Sequence, residues 1–282
     1  MINLGISLLD FKPNYSGGIN SFSLGLTKSL EKKCKLHIYT NKNSYFFLKK
    51  KFPKSKIIVH SKNNFLYLII KTFSVLIESN FFFRSNENRY YSNLKKNIEK
   101  TCDVFYCPLS YLRPLDLKIP SVVSIHDLQH EHFPQNFNFI QLKHRKLMYG
   151  LTVRSCSKVQ VSSDFIRNDV KKVYPKMGKK KTLLINEGVS DEFKFQKYNF
   201  KNNFILFPAQ LWPHKNHLIV LKSLKNLYIK HNLNLKLIMV GGKFSAYKSI
   251  NKFINENKYL DISYLGNVSF KKLLSLFKNC KF

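Results

Sequence analysis

Acidic residues are scarce in this sequence, and their scarcity sets its charge. The chain of 282 residues has 16 aspartates and glutamates against 48 lysines and arginines, which gives a formal net charge of +32. Abundant Lys, Asn, Phe and Ile are typical of an AT-rich coding sequence, but that bias would not remove Asp and Glu. A basic surface favours anionic partners, which are nucleic acid, an anionic bilayer surface or phosphorylated substrates.

A compact nucleic-acid recognition motif is also lacking, because the lysines lie in pairs and triplets along the whole chain. We therefore expect no nucleic-acid partner and favour an anionic membrane surface. No stretch of about 18 residues is free of charge, so no transmembrane helix is expected. Hydrophobic residues make up 44% of the chain, which excludes a disordered protein.

Cysteine pairs and metal-binding motifs are missing as well. The five cysteines form no CxxC pair, which favours reduced thiols in a cytoplasmic protein. There is no Asp-x-Asp sequence, and the group His130, Glu131 and His132 does not define a metal site by its spacing. We expect no bound metal and no cofactor.

Alternating strand and helix patterns are what the sequence does contain. Residues 2–9 read as a buried strand, followed by a loop with Gly17-Gly18 and a helix at 19–30. Further strands are predicted at 36–40, 56–60, 103–106, 121–125, 159–162 and 182–185, with helices at 44–52, 66–77, 139–155 and 165–173.

The polar segment before Phe204 has no clear period and predicts a connection. After it come strands at 204–207, 235–240 and 262–265, with helices at 218–231 and 247–257 and a last helix capped by Ser269. The pattern predicts an α/β protein with two Rossmann-like domains, 1–192 and 204–282, joined by a linker at 193–203.

Three loops that follow predicted strands carry candidate site residues. Glycines at Gly17 and Gly18 let the backbone approach a ligand, although a simple turn stays open because the full GxGxxG is absent. His126-Asp127 directly follows the strand at 121–125, and ligands of open parallel sheets lie at such strand ends. A structural histidine that is satisfied by local hydrogen bonds remains the alternative.

The stretch 204–224 predicts a strand, a basic loop and a helix. Lys215 lies at the start of this helix, whose N-terminus carries partial positive charge and unpaired N–H groups. The pattern therefore predicts a phosphate or diphosphate site at Lys215.

The helix at 66–77 has apolar residues at i, i+3, i+4 and i+7, and the run Phe81-Phe82-Phe83-Arg84 follows it. This spacing is typical of an ordinary packed helix. The aromatic and basic borders leave a second interpretation open, in which the segment dips into the headgroup region of a membrane.

The chain resembles the glycosyltransferases of family 4, the group 1 glycosyltransferases. Four segments match in order: the Gly17-Gly18 loop, Ile125-His126-Asp127, Asn186-Glu187-Gly188-Val189, and PAQLWPHKNH at 208–217 with the later Val240-Gly241-Gly242. The match covers the whole chain, and the PAQLWPHKNH element is its most specific part.

The resemblance implies a GT-B fold of two Rossmann-like domains that face each other across a cleft. It implies a retaining, metal-independent hexosyl-type transferase (EC 2.4) that moves a sugar from a nucleotide-sugar donor. We expect a lipid-linked saccharide acceptor, a role in surface polysaccharide or lipopolysaccharide synthesis, and a place at the inner face of the cytoplasmic membrane.

The resemblance also assigns roles to particular residues. Lys215 matches the lysine of the family's basic pair, and Gln210 stands where that pair usually has arginine. The Gly17 and Gly18 backbone would approach the donor diphosphate, and His126 would lie by the donor sugar as the catalytic group.

One departure concerns the second domain. The family continues with a loop bearing two glutamates and a final helix, and neither is found before Phe282. We therefore expect a fragment or a truncated product. The alternative function is a non-catalytic remnant or subunit of such a transferase.

Overall fold

A computed structural model of the protein describes residues 1–13, 17–61, 65–175, 182–188 and 203–282. The chain divides into two compact units, residues 1–187 and 188–282. The predicted linker at 193–203 lies outside the described residues except for residue 203, so the predicted domain limits stay predictions.

The first unit contains a seven-stranded parallel sheet with the strand order β3-β2-β1-β4-β5-β6-β7. Side chains on the interior strand β1 are inaccessible to solvent, as Ile6 and Leu8 show. Buried strands of this kind read as continuous apolar runs, which is why their positions could be predicted. The strands are β1 Asn3–Leu8, β2 Lys35–Asn41, β3 Lys56–His60, β4 Val104–Cys107, β5 Ser121–Ile125, β6 Lys158–Val161 and β7 Thr182–Leu184.

Helices connect these strands, and side chains cap several of them. Asn138 and Gln141 form a capping box at the start of α7, and the Ser163 hydroxyl accepts from the Ile166 N–H at the start of α8. The helices in the described ranges are α1 Gly18–Glu31, α2 Tyr45–Lys51, α3 Phe65–Leu76, α4 Asn80–Tyr90, α5 Ser92–Thr101, α6 Gln129–His132, α7 Phe139–Ser155 and α8 Asp164–Val173.

Helix α3 is confirmed, but its packing is the reverse of what an ordinary packed helix would show. Most residues of the predicted apolar side are exposed, among them Ile69 and Phe73, whereas Tyr67, Ser74 and Val75 are buried. A polar contact explains this orientation. The Tyr67 hydroxyl donates to Glu87 of α4 over 2.5 Å, which keeps the side of α3 that carries Tyr67 turned toward the protein interior.

The second unit contains a three-stranded parallel sheet with the order β10-β9-β8. Its strands are β8 Phe204–Pro208, β9 Lys236–Val240 and β10 Ile262–Tyr264, and its helices are α9 His217–His231, α10 Tyr247–Glu256 and α11 Phe270–Asn279. Asn232 ends α9 in the left-handed conformation, and Ser269 caps α11 as predicted.

Alternate side chains of β8 and β9 pack into two separate hydrophobic cores of the second unit. Leu237 and Met239 pack with Leu221 and Ile250 on one face. Ile238 and Val240 pack with Phe204, Leu206 and Leu276 on the other. None of the helices in the described ranges is long and apolar enough to cross a bilayer.

Candidate functional site

The candidate glycines of the first unit stand at the start of α1. Gly17 is its N-cap in extended conformation, without a side-chain cap, and Gly18 is its first residue. A Cβ added to Gly18 would meet no atom within 4 Å. Because the N–H groups of a first helical turn have no partners within the helix, this terminus offers donors to an anion.

His126 lies directly after β5, where neighbouring strands also end. Its Nε2 atom is 2.9 Å from the Pro108 carbonyl oxygen, and its Nδ1 atom is 3.1 Å from Glu187 Oε1. The ring of Phe22, on α1, meets the imidazole edge-on at 4.9 Å between centroids. The structure therefore brings His126 and the beginning of α1 to the same edge of the sheet.

Both ring nitrogens of His126 face hydrogen-bond acceptors, one a carbonyl and one a carboxylate. A neutral imidazole has a single N–H, so it can donate to only one of them. Its partners lie 18 and 61 residues away along the chain. His126 thus has a structural role, since its contacts join loops that are distant in sequence. The same contacts hold it at the strand ends, where a site residue is expected.

Glu187 is a candidate that the residue patterns did not single out. It follows β7 and is partly exposed, with 42% of its side chain accessible, whereas His126 is at 12%. The signal was available: residues 182–185 predict a strand, and parallel strands end at the same sheet edge. Glu187 could have been grouped with His126 on that ground.

A cavity of about 510 Å³ opens beside the end of β1 and is lined by residues 9–13, Asn41 and Asn43. Asp10 in its wall accepts from Arg113 Nη1 over 2.6 Å. Arg113 is buried, and its Nε lies 3.3 Å from Glu87 Oε2. Burial disfavours the charge of Arg113, but the carboxylates of Asp10 and Glu87 outweigh it and raise its pKa well above the ordinary value.

The candidate residues of the second unit share the loop between β8 and α9. The Trp212 indole N–H donates to Gln210 Oε1 over 3.1 Å, and the Trp212 ring stacks on Phe244 at 4.0 Å between centroids. The Leu211 N–H donates to the Gly242 carbonyl over 3.0 Å. The loop after β8 is thereby held against the loop after β9.

Gly241 makes this close approach possible. Its φ is +153°, and a Cβ added to it would lie 2.2 Å from the Ala209 carbonyl oxygen. Its N–H donates to the Gly266 carbonyl over 2.9 Å, so the loop after β10 joins the same edge. A glycine is required here, since any side chain would displace the backbone on which Gln210 is carried.

Lys215 ends a one-turn 3-10 helix, Pro213–Lys215, and is exposed. Asn216 follows in the left-handed conformation, with φ of 50°, and α9 begins after it without a side-chain cap. His217 is buried against Phe207, and burial lowers its pKa. The result is a cation beside an uncapped helix start, which is an arrangement that suits a phosphate.

Within the described ranges, no group of three or more His, Cys, Asp or Glu side chains could hold a metal ion. The two histidines of the segment 130–132 have separate surroundings. His132 Nε2 is 2.8 Å from both carboxylate oxygens of Asp169, whereas His130 is buried against Tyr149 at 4.5 Å between centroids.

Comparison with known proteins found relatives by sequence, although no family model matches the chain. Over 156 residues, 55% of the chain, it is 25% identical to the O-antigen chain mannosyltransferase RfbU of Salmonella typhimurium. Over 137 residues, 49% of the chain, it is 26% identical to MJ1178 of Methanocaldococcus jannaschii, an uncharacterized glycosyltransferase. The matches span 42% and 35% of these relatives, less than half of either.

Solved structures match over nearly the whole chain. Anabaena Alr3699/HepE in complex with UDP gives a TM-score of 0.66 at 16% identity, covering 99% of this chain and 72% of that one. A glycosyltransferase from Rickettsia africae gives 0.62 at 15% identity, covering 99% and 71%. At these identities the likeness shows the fold, and the predicted α/β fold of the GT-B type is confirmed.

Proposed function

We propose that this chain, which is similar in sequence to glycosyltransferases, transfers a sugar from a nucleotide-sugar donor with retention at the anomeric carbon. The proposed acceptor is a lipid-linked saccharide in surface polysaccharide or lipopolysaccharide synthesis, at the inner face of the cytoplasmic membrane and in contact with its anionic surface. The observation that carries the proposal is Lys215 beside the uncapped start of α9, on a GT-B fold.

The donor diphosphate is assigned to Lys215 and the first turn of α9. Lys215 supplies a full positive charge, and the helix supplies N–H donors and its dipole. Gln210 contributes a neutral amide where the resembling family usually has arginine, and a neutral contact is roughly half as strong as a charge-assisted one. In the first unit, the backbone of Gly17 and Gly18 is the proposed donor contact.

The chemical step needs a stabilised leaving group more than a side-chain nucleophile. As the bond from the anomeric carbon to the diphosphate oxygen breaks, the acceptor hydroxyl oxygen bonds to that carbon from the same face, and its proton passes to the departing diphosphate. Lys215 is the proposed cation that stabilises the negative charge growing on the diphosphate. No bound metal enters this scheme. The donor sugar is assigned to His126 and Glu187, which together present an imidazole and a partly exposed carboxylate to its hydroxyls.

The acceptor saccharide is assigned to the cavity beside Asp10. Its volume of about 510 Å³ falls in the range of small-molecule sites. Asp10 is held by buried Arg113 yet keeps 38% of its side chain accessible, so its carboxylate can accept from a sugar hydroxyl.

Donor consumption tests the proposal. We would incubate the chain with a panel of UDP- and GDP-sugars and a bacterial membrane lipid extract, and follow nucleoside diphosphate release and product anomeric configuration by NMR. One donor should be consumed, and its sugar should keep its configuration. Nucleotide binding without consumption would favour a non-catalytic subunit, and the absence of both would contradict the proposal.

A further inference from the structure

The exposed side of α3 is its apolar side. Leu66, Ile69 and Phe73 have between 48% and 56% of their surface accessible. The residues that α3 buries are Tyr67, Ser74 and Val75, two of which are polar. A surface helix of a globular protein normally buries its apolar stripe, so the orientation of α3 is inverted.

The exposed apolar surface continues onto the first turns of α4 and α7. Phe81 and Phe82 of α4 are 76% and 51% exposed, and Phe139 of α7 is 62% exposed. Lys143 links α7 to α3: its Nζ donates to the Leu76 carbonyl at the end of α3 over 3.2 Å and lies 4.3 Å from the ring centroid of Phe139 on its own helix. We call the exposed apolar side chains of these helices the apolar face; they are Leu66, Ile69, Phe73, Phe81, Phe82 and Phe139.

Buried polar contacts hold the apolar face outward. The Tyr67 hydroxyl donates to Glu87, and the Asn86 side-chain amide donates to the Tyr67 carbonyl over 3.0 Å. Glu87 in turn pairs with buried Arg113. Rotating α3 to bury its apolar side would break both contacts of Tyr67 and take the hydroxyl donor away from the buried Glu87 carboxylate, so these contacts favour the observed orientation.

We propose that the apolar face docks on an anionic lipid bilayer at the level of the headgroups. An exposed patch of large apolar side chains marks an interaction surface. The net charge of +32 selects the partner, because it attracts an anionic bilayer and opposes the approach of a second copy with the same charge. Glu78, the carboxylate that borders the face, is paired with Lys143 over 2.8 Å.

Docking by this face is peripheral, in line with the lack of a helix in the described ranges that could cross a bilayer. The inference rests on the proposed function in one respect, since docking would bring the chain to the membrane that holds a lipid-linked acceptor. The apolar face is the surface that would make this membrane contact.

Vesicle flotation tests the docking. We would float the chain with phosphatidylcholine vesicles that contain or lack phosphatidylglycerol, and compare wild type with the double variant Phe73→Ser/Phe81→Ser. The wild type should bind the anionic vesicles, and the double variant should bind at least about tenfold more weakly, because two apolar side chains are lost from the contact. Higher salt should weaken binding by the wild type.

The matched control is Phe165→Ser. Phe165 is 74% exposed, but its helix, α8, packs against β6 and β7. This variant should float like the wild type. Equal flotation of all three proteins, no flotation of the wild type, or a lipid-free dimer that the double variant abolishes would each overturn the docking.

Nucleoside diphosphate binding, measured as a melting-temperature shift on the same proteins, separates this inference from the proposed function. If the double variant loses flotation and keeps the shift, both hold. If flotation never occurs but the shift is present, the docking alone fails.

Discussion

His126 lies between two acceptors, the Pro108 carbonyl and the Glu187 carboxylate. This placement fixes the orientation of the ring before any ligand arrives. A sugar hydroxyl bound here, as we propose, would have to share the Glu187 carboxylate or displace it from Nδ1. Removing the charge of Glu187 should then lower the rate of sugar transfer and leave nucleotide binding unchanged.

Glu187→Gln is expected to lower the rate of sugar transfer by about tenfold, because a charge-assisted hydrogen bond becomes a neutral one. The melting-temperature shift caused by nucleoside diphosphate should stay unchanged. Steady-state transfer rates and thermal shifts on the same preparation check this. A variant with full transfer activity would remove Glu187 from the site.

Gly241 is the residue on which the loop geometry of the second unit depends. Gly241→Ala should destabilise the protein by at least about 2 kcal/mol, since the positive φ is strained for alanine and its Cβ would collide with the Ala209 carbonyl. Urea unfolding measures the loss. The control is Gly25→Ala at an exposed position of α1, where an added Cβ would meet no atom within 4 Å. This variant should add about 0.5–1 kcal/mol of stability.

Helices α3 and α4 are joined by charge and hydrogen bonds that converge on Arg113. This guanidinium is buried and pairs with both Asp10 and Glu87, so one residue supports the cavity wall and the orientation of α3. Loss of Arg113 would therefore take the cation away from both carboxylates.

Arg113→Met should cost roughly 3–5 kcal/mol of unfolding free energy, because Glu87 would remain as an unpaired buried charge. The comparison variant is Arg84→Met, which breaks a partly exposed pair with Asp116 and should cost about 1 kcal/mol, because Asp116 keeps its bonds from Asn88 and Ser155. Denaturant unfolding of both gives the difference. Similar losses in the two variants would contradict the role of Arg113.

Most helices and strands could be predicted from the sequence. Buried parallel strands are continuous apolar runs, and capping residues indicate where helices begin. The strand β5 and the helix α7 were predicted with their limits. Helices α4 and α5 were not, because their sequences are polar. The packing of α3 could not be read from spacing, because Glu87 and Arg113, far along the chain, decide which side is buried.

The candidate site divides in the same way. The residues at strand ends, His126 and Lys215, follow from the order of elements, and so does Glu187 once its strand is recognised. The pairing of Asp10 with Arg113 spans 103 residues of sequence, and no local pattern indicates it. The roles given to Gly17, Gly18, Gln210, Lys215 and His126 remain predictions.

The stability of the whole molecule should fall in mild acid. Burial lowers the pKa of His130 from 6.5 to about 4, so the unfolded chain takes up a proton below pH 6.5 that the folded chain refuses until about pH 4. His130 should therefore remove about 2 kcal/mol of stability between pH 7 and 5. Chemical unfolding across this range, for wild type and His130→Gln, should show a smaller pH-dependent loss in the variant. An equal loss would mean that His130 is protonated in the folded protein.

At the scale of the whole molecule, we propose that the chain is a nucleotide-sugar transferase and that its second unit binds the donor diphosphate. The fold is similar to that of a solved glycosyltransferase, and the two sequence relatives are named a mannosyltransferase and an uncharacterized glycosyltransferase. What remains to be measured is whether this chain binds the nucleotide at Lys215.

The direct measurement is the melting temperature of the chain with and without UDP and GDP, for wild type, Lys215→Ala and Lys222→Ala. Lys222 is an exposed lysine further along α9 and serves as the control for lost charge. At a nucleotide concentration about 100 times the dissociation constant, binding adds about 2.7 kcal/mol to the stability of the unit. The account predicts a clear rise for wild type and Lys222→Ala with one of the nucleotides, and none for Lys215→Ala. An unchanged melting temperature for the wild type with both nucleotides, or a full shift in Lys215→Ala, would contradict it.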